Sequence, residues 1–240
     1  MAEVLRLLQQ RGGADDGVDI AVAGAAALAV DGLAVSLAAG SGRSEVLWCS
    51  DETSRVFEDL QFTLGEGPGP DCLASATAVR IPDLARVRQD RWPALIMEAP
   101  DQAARAVFCF PLRIGAIAVG VLTAVRRAPG RLTHAQTDDA LALAAALTMR
   151  VLARGQPEVL PRDDAASLPF LQHAVVHQAT GMVSVQLAVP LAEALLRLRA
   201  HAYSSRRTLT ETARDIVARR LRLAPGTEPL PPAADKDPTP

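Results

Sequence analysis

Apolar positions along the first two thirds of the chain switch between two periods. A helical period runs over residues 19–30, where Asp19 is placed to cap an Ala-rich stretch. Short continuous apolar runs follow at 33–38 and 45–49, with Gly40-Ser41-Gly42 between them, which is the pattern of a hairpin. Ser50, Asp51 and Glu52 open a helix ending near Gln61. Residues 64–71 carry three glycines and two prolines and predict a loop, with a short helix over 71–75. A brief strand at 79–81 stops at Pro82, and Arg91-Trp92-Pro93 opens another helix. Runs at 106–111 and 116–124 predict two more strands around Gly115. Thr133 and Gln136 then have capping-box spacing ahead of a long helix over 133–153. Five or so strands with flanking helices predict an α+β fold built on an antiparallel sheet.

The last third is all helical in pattern. Leu171, Val175, Val176, Ala179 and either Met182 or Val183 repeat at helical spacing over 170–184. Pro190 enters a second helix with Ala194, Leu195, Leu198 and Ala202 on one face. Ser204-Ser205-Arg206-Arg207 reads as a turn, and Thr208 with Glu211 caps a third helix carrying Leu209, Ala213, Ile216, Val217 and Leu221. The expected organisation is an N-terminal helix and loop over 1–17, an α+β body over 18–153, and a linker over 154–168. A three-helix module over 169–223 and a proline-rich, disordered tail over 224–240 complete it.

Charge separates these parts. The whole chain is close to neutral at −2, but residues 170–223 hold eight arginines against three acids, a balance of +5, whereas residues 1–169 balance at −5. A small basic helical module on an acidic body points to a phosphate-bearing partner. Within it, Tyr203 is the best candidate for stacking on a base, so hairpin recognition is favoured over sequence-independent single-strand binding. No run reaches the about 18 apolar residues of a membrane span, and no secretion signal opens the chain, so a cytoplasmic protein is expected. Cys49, Cys72 and Cys109 are isolated and give no metal spacing; reduced thiols are expected, with Cys49 and Cys109 as small core residues. No catalytic residue, metal ligand or required cofactor is read from the sequence.

The body resembles a GAF domain, a small-molecule sensing fold. The resemblance rests on Leu64-Gly65-Glu66-Gly67-Pro68, Ile81-Pro82-Asp83-Leu84, Arg91-Trp92-Pro93, Phe110-Pro111-Leu112 with Gly115, and Val119-Gly120-Val121-Leu122. It implies a central antiparallel sheet with helices behind it and a ligand cavity on the other side. Trp48, Phe108 and Cys109 are the candidate lining of that cavity, and the ligand is left open. A branch of the family reduces free methionine sulfoxide with cysteines near the pocket, which makes a thiol reductase an alternative.

The basic module resembles the ANTAR domain. The matching residues are Ala179-Thr180-Gly181, Glu193-Ala194, Leu198-Arg199 with Ala202, and Leu209 with Ala213 and Ile216-Val217. Many members have Lys where this chain has Thr180. The resemblance implies transcription antitermination: a homodimer binds hairpins in a leader RNA under control of the sensor. Candidate RNA-binding residues are Ala179, Thr180, Gly181, Arg199, Arg206 and Arg207. Gly181 admits either close approach of RNA or tight helix packing. Arg219, Arg220 and Arg222 read as helix-end charges, and Arg199 is a candidate partner for Glu193 or Asp215. A scaffold acting through protein contacts and a DNA-binding regulator are further alternatives.

Overall fold

In the computed structural model, residue 4 and residues 16–38, 44–98, 103–154 and 173–223 are described. The linker, most of the N-terminal segment and the tail expected from the sequence lie outside them. The chain divides into two compact units, Met1–Ala174 and Val175–Pro240.

The first unit opens with helix α1 (Asp16–Leu28), then strands β1 (Gly32–Ala38) and β2 (Ser44–Cys49). Helix α2 (Glu52–Leu64) starts where Asp51 accepts the backbone N–H groups of Thr53 and Ser54 at 3.2 and 3.0 Å. Such a cap contributes about 1 kcal/mol. It ends at Gly65, whose φ of 76° needs no Cβ-bearing residue to enter the left-handed region.

Helix α3 (Pro68–Ser75) begins three residues earlier than the loop expected over 64–71 allows. Proline forbids a helix interior but not its first turn, where the missing N–H has no partner to lose. Strand β3 (Val79–Ile81), a 3₁₀ turn (Leu84–Arg86) and helix α4 (Pro93–Glu98) follow. Strands β4 (Ala106–Ile114) and β5 (Ile117–Arg126) form a hairpin longer than its apolar runs, and helix α5 (His134–Arg154) closes the unit. Its capping box is made as expected: Gln136 N–H donates to Thr133 Oγ1 at 3.2 Å, and Thr133 N–H donates to Gln136 Oε1 at 2.9 Å.

The five strands form one sheet in the order β2-β1-β5-β4-β3, with every neighbouring pair antiparallel. Helices cover both faces. Leu33, Val35, Phe108, Phe110, Leu112, Leu122 and Ala124 pack against α1 and α5. Val107, Cys109, Val121 and Val125 pack against Phe57, Cys72, Leu84, Trp92 and Leu95 on the other side. The face expected to hold an open cavity is therefore filled by side chains.

The second unit holds α6 (Ala174–Leu187, entering from the last residue of the first unit), α7 (Leu191–Ser204) and α8 (Leu209–Val217). Its core is Val176, Ala179, Val183, Ala194, Leu195, Leu198, Ala202, Leu209, Ala213 and Ile216. The capping box of Thr208 and Glu211 sets the start of α8.

Candidate functional site

In the second unit, the expected RNA-binding run 179–181 is mostly interior. Ala179 and Thr180 are buried, and the Thr180 hydroxyl donates to Val176 O at 2.7 Å. That hydroxyl serves its own helix and does not face a phosphate. Gly181 alone reaches the surface, and a Cβ built there meets no atom within 4 Å. Tight helix packing is thus not the reason for glycine.

The arginines divide by partner. Arg197 donates to Glu193 at 2.5 Å. Asp215 receives Arg207 at 2.7 Å on one carboxylate oxygen and Arg220 at 2.6 Å on the other. Those two guanidinium groups hold the Asp215 carboxyl below the usual carboxylate range. Arg206 is exposed and, among the described residues, forms no ion pair. The sequence reads Arg207 as an RNA contact and Arg220 as a helix-end charge, yet the two share one carboxylate. Asp215 as their hub was missed, because a surface acid gives no pattern of its own.

In the first unit, Trp48, Phe108 and Cys109 do not line one cavity. Trp48 and Phe108 belong to the layer against α1 and α5, where the Trp48 ring lies so close to Gly17 that any Cβ there would overlap it. Cys109 belongs to the opposite layer. The reason is elementary: successive residues of a strand point to opposite faces.

The layer that holds Cys109 has a polar centre. Glu58 is fully buried on α2, receives Ser36 Oγ at 2.7 Å and Gln61 Nε2 at 3.1 Å, and is also bonded by Thr123. Burial pushes its carboxyl up, against those hydrogen bonds. Gln61 in turn accepts the N–H of Gly69 at 2.7 Å, which ties the start of α3 to the same network. Burial likewise pushes the Cys72 thiol up to about 12 and the Cys109 thiol well above its ordinary value. Cys49 is pushed to about 12 by burial and by the charges of Glu58 and Asp59. A thiol held protonated is neither a nucleophile nor a metal ligand.

Open space lies instead along the β3 edge. One cleft of about 520 Å³ is lined by Ile81, Pro82, Asp83, Val87, Arg88 and Arg91, among others, and a neighbouring one of about 700 Å³ by Asp71, Ser75, Thr77, Arg80 and Arg91, among others. Their charges are largely paired, Arg88 with Asp90 at 2.6 Å and Arg91 with Asp71 at 3.2 Å. Among the described residues no three His, Cys, Asp or Glu side chains gather as a metal site.

His173, near the end of the first unit, was not singled out by its sequence. Its ring stacks on Phe62 with centroids 3.7 Å apart. Nδ1 lies 3.2 Å from Glu45 and Nε2 lies 3.4 Å from Asp59. Burial lowers its pKa, but the two carboxylates outweigh burial and raise it to about 9. The pairing with Glu45 spans 128 positions, so no local pattern announces it.

No family model matches the chain, and no curated protein does either. Solved structures do. The GAF domain of an Acinetobacter phosphoenolpyruvate-protein phosphotransferase superposes with a TM-score of 0.52 at 16% identity, over 63% of this chain and 90% of its own. The first unit has a GAF fold. A Coxiella burnetii GAF domain, from the corresponding phosphotransferase, gives 0.49 at 11% identity over 63% of this chain and 90% of its own. Free methionine-R-sulfoxide reductase from Neisseria meningitidis, in complex with its substrate, gives 0.45 at 14% over 62% and 84%. At such identities the likeness to the GAF unit concerns the fold and says nothing of chemistry.

Three outcomes follow from this geometry. With pKa values near 12, Cys49 and Cys72 present about a thousandfold less thiolate than ordinary cysteine, and burial holds Cys109 protonated as well. A disulfide reagent at pH 8 is therefore expected to label all three rapidly only after denaturation. Gly181→Ala adds a methyl into open space within a helix, so it is expected to stabilise the second unit by about 0.5–1 kcal/mol in denaturant titrations; a loss of stability would restore the packing reading. His173 has a raised pKa, so its contribution to stability is complete below about pH 6.5 and is lost as pH climbs through 9. Unfolding titrations between pH 6 and 10 are expected to show that loss in the parent protein and not in His173→Asn.

Proposed function

We propose that the chain is a signal-responsive RNA-binding regulator that acts by transcription antitermination in the cytoplasm. In this reading the GAF unit senses a small molecule or a partner, and the three-helix unit binds hairpins in a leader RNA as part of a homodimer. The observation that carries the reading is the charge of the three-helix unit, +5 over residues 170–223, together with its ANTAR-like spacing. Its geometry supports the same view. Gly181 leaves a helix surface open to close approach, and Tyr203, 57% exposed on α7, offers an aromatic face beside the arginine-rich turn. Two weak sites joined in a homodimer gain effective concentration on a two-hairpin transcript.

The buried, protonated thiols disfavour a reductase in this state of the GAF unit. A scaffold reading has an observation of its own. Val185, Leu191 and Leu196 are 84%, 48% and 63% exposed in the second unit, and apolar side chains so placed suit a protein surface.

The test is a titration of the full chain against a two-hairpin leader RNA at several salt concentrations, beside an arbitrary RNA of equal length. Tighter binding to the hairpins, weakening steeply with salt, is expected. Equal affinity for the two RNAs would sink antitermination and leave the scaffold reading as the stronger one.

A further inference from the structure

Four helices of this protein end in the same way, and two of them differ in chemistry. Each ends with a left-handed residue at the first position beyond its cap, followed by a residue whose N–H reaches five positions back. After α1 these two residues are Ala29 and Val30, with Ala29 at φ 49° and Val30 N–H on Ala25 O at 3.0 Å. After α6 they are Ala188 and Val189, with φ 53° and a bond to Ser184 O at 3.1 Å. After α7 they are Arg206 and Arg207, with φ 53° and a bond to Ala202 O at 3.0 Å. After α8 they are Arg219 and Arg220, with φ 59° and a bond to Asp215 O at 2.8 Å.

This helix ending favours a small residue first and an apolar one second. Ala-Val meets both preferences. Arg-Arg meets neither, and it occurs twice, in the one unit that is strongly basic. The second arginine of each pair folds onto the same carboxylate: Arg207 takes one oxygen of Asp215 and Arg220 takes the other. Asp215 is only 20% exposed, so the two are drawn together over it. The first arginine of each pair, Arg206 and Arg219, is exposed and has no ionic partner among the described residues. Two guanidinium groups thus share one carboxylate, and the arginine preceding each of them in the chain is left exposed.

We propose that this cluster is a clamp for the RNA phosphate backbone, in which Arg206 and Arg219 contact phosphates while Asp215 positions their neighbours Arg207 and Arg220. The inference rests on the RNA-binding reading and names the surface that does the binding. Tyr203 adds to it, since its carbonyl accepts the Arg206 N–H at 3.1 Å and its ring is exposed one turn before the pair. The competing account is that all four arginines only complement the negative ends of two helices. The two accounts diverge in the variants Arg206→Ala and Arg219→Ala. Alanine holds this left-handed position at Ala29 and Ala188, so both variants keep the fold and keep the pairs on Asp215.

The experiment measures binding of the full chain to the two-hairpin RNA and to the arbitrary RNA between 50 and about 300 mM salt. Each single variant removes one contact from each protomer of the homodimer, so it is expected to lower the slope of log affinity against log salt by about two and to weaken binding at least about tenfold, and the double variant to lower the slope by about four. Arg80→Ala, an exposed arginine of the GAF unit, serves as the control and is expected to leave the slope unchanged. A double variant with the parent slope, still folded by circular dichroism, overturns the clamp while hairpin selectivity in the parent protein leaves the regulator reading standing. If the parent protein binds both RNAs alike and the variants lower both slopes, the clamp stands and antitermination falls. If the parent protein binds neither RNA, or binds only an acidic protein partner, both are overturned.

Discussion

A sheet buried on both faces forces each strand to serve two layers, and the GAF unit depends on that constraint. Phe108 and Phe110 go to the side of α1 and α5, while Val107 and Cys109 go to the side of α2, α3 and α4. Once Phe57, Leu84, Trp92 and Leu95 fill the second layer, a carboxyl buried there needs hydrogen bonds from within. Glu58 meets that condition with Ser36 from β1, Gln61 from its own helix and Thr123 from β5. Gln61 extends the same requirement to Gly69, so the position of α3 follows from the burial of one carboxyl. A ligand entering this layer must displace close-packed side chains or break that network, whereas the clefts beside β3 need neither.

Element types were legible because the chain writes its helix starts plainly. Asp51, the Thr133–Gln136 pair and the Thr208–Glu211 pair are local rules in which residues three apart satisfy each other's backbone. Pro68 is less legible: the glycine and proline density around it reads as a loop, yet it occupies the first helical turn, which tolerates proline. The pocket expectation failed for a reason the sequence already contained. Phe108 and Cys109 are adjacent on one strand, and adjacent strand residues cannot share a face.

What was not legible is long-range and electrostatic. His173 meets Glu45 across 128 positions, and nothing in its neighbourhood marks it as a buried cation held between two acids. The same holds on a smaller scale for Asp215. It lies eight residues from Arg207 and five from Arg220; the turn between α7 and α8 brings the first to it and the ending of α8 brings the second. Of the candidate RNA-binding residues, Ala179 is legible as interior from its place on the apolar stripe, but Thr180 is not, because a motif records which residues matter without saying to what.

Counting charge is therefore a poor guide to a binding surface until pairing is known. The balance of +5 in the basic segment treats eight arginines as equal. Their surroundings make them unequal: Arg197 is taken up by Glu193, and Arg207 and Arg220 by Asp215. An exposed pair of this kind contributes little to stability by itself. Its larger consequence is positional, because a carboxylate holding two guanidinium groups fixes where the remaining charges of each Arg-Arg pair can sit. A helix end that only needed closing has Ala-Val as its solution in this same chain, at Ala29-Val30 and Ala188-Val189. Replacing that solution twice with pairs of long, entropically costly cations gains in the helix ending only a modest complement to its negative end, about 0.3–1 kcal/mol. The charge left exposed at those ends, on Arg206 and Arg219, is the chemistry that the proposed RNA partner would match.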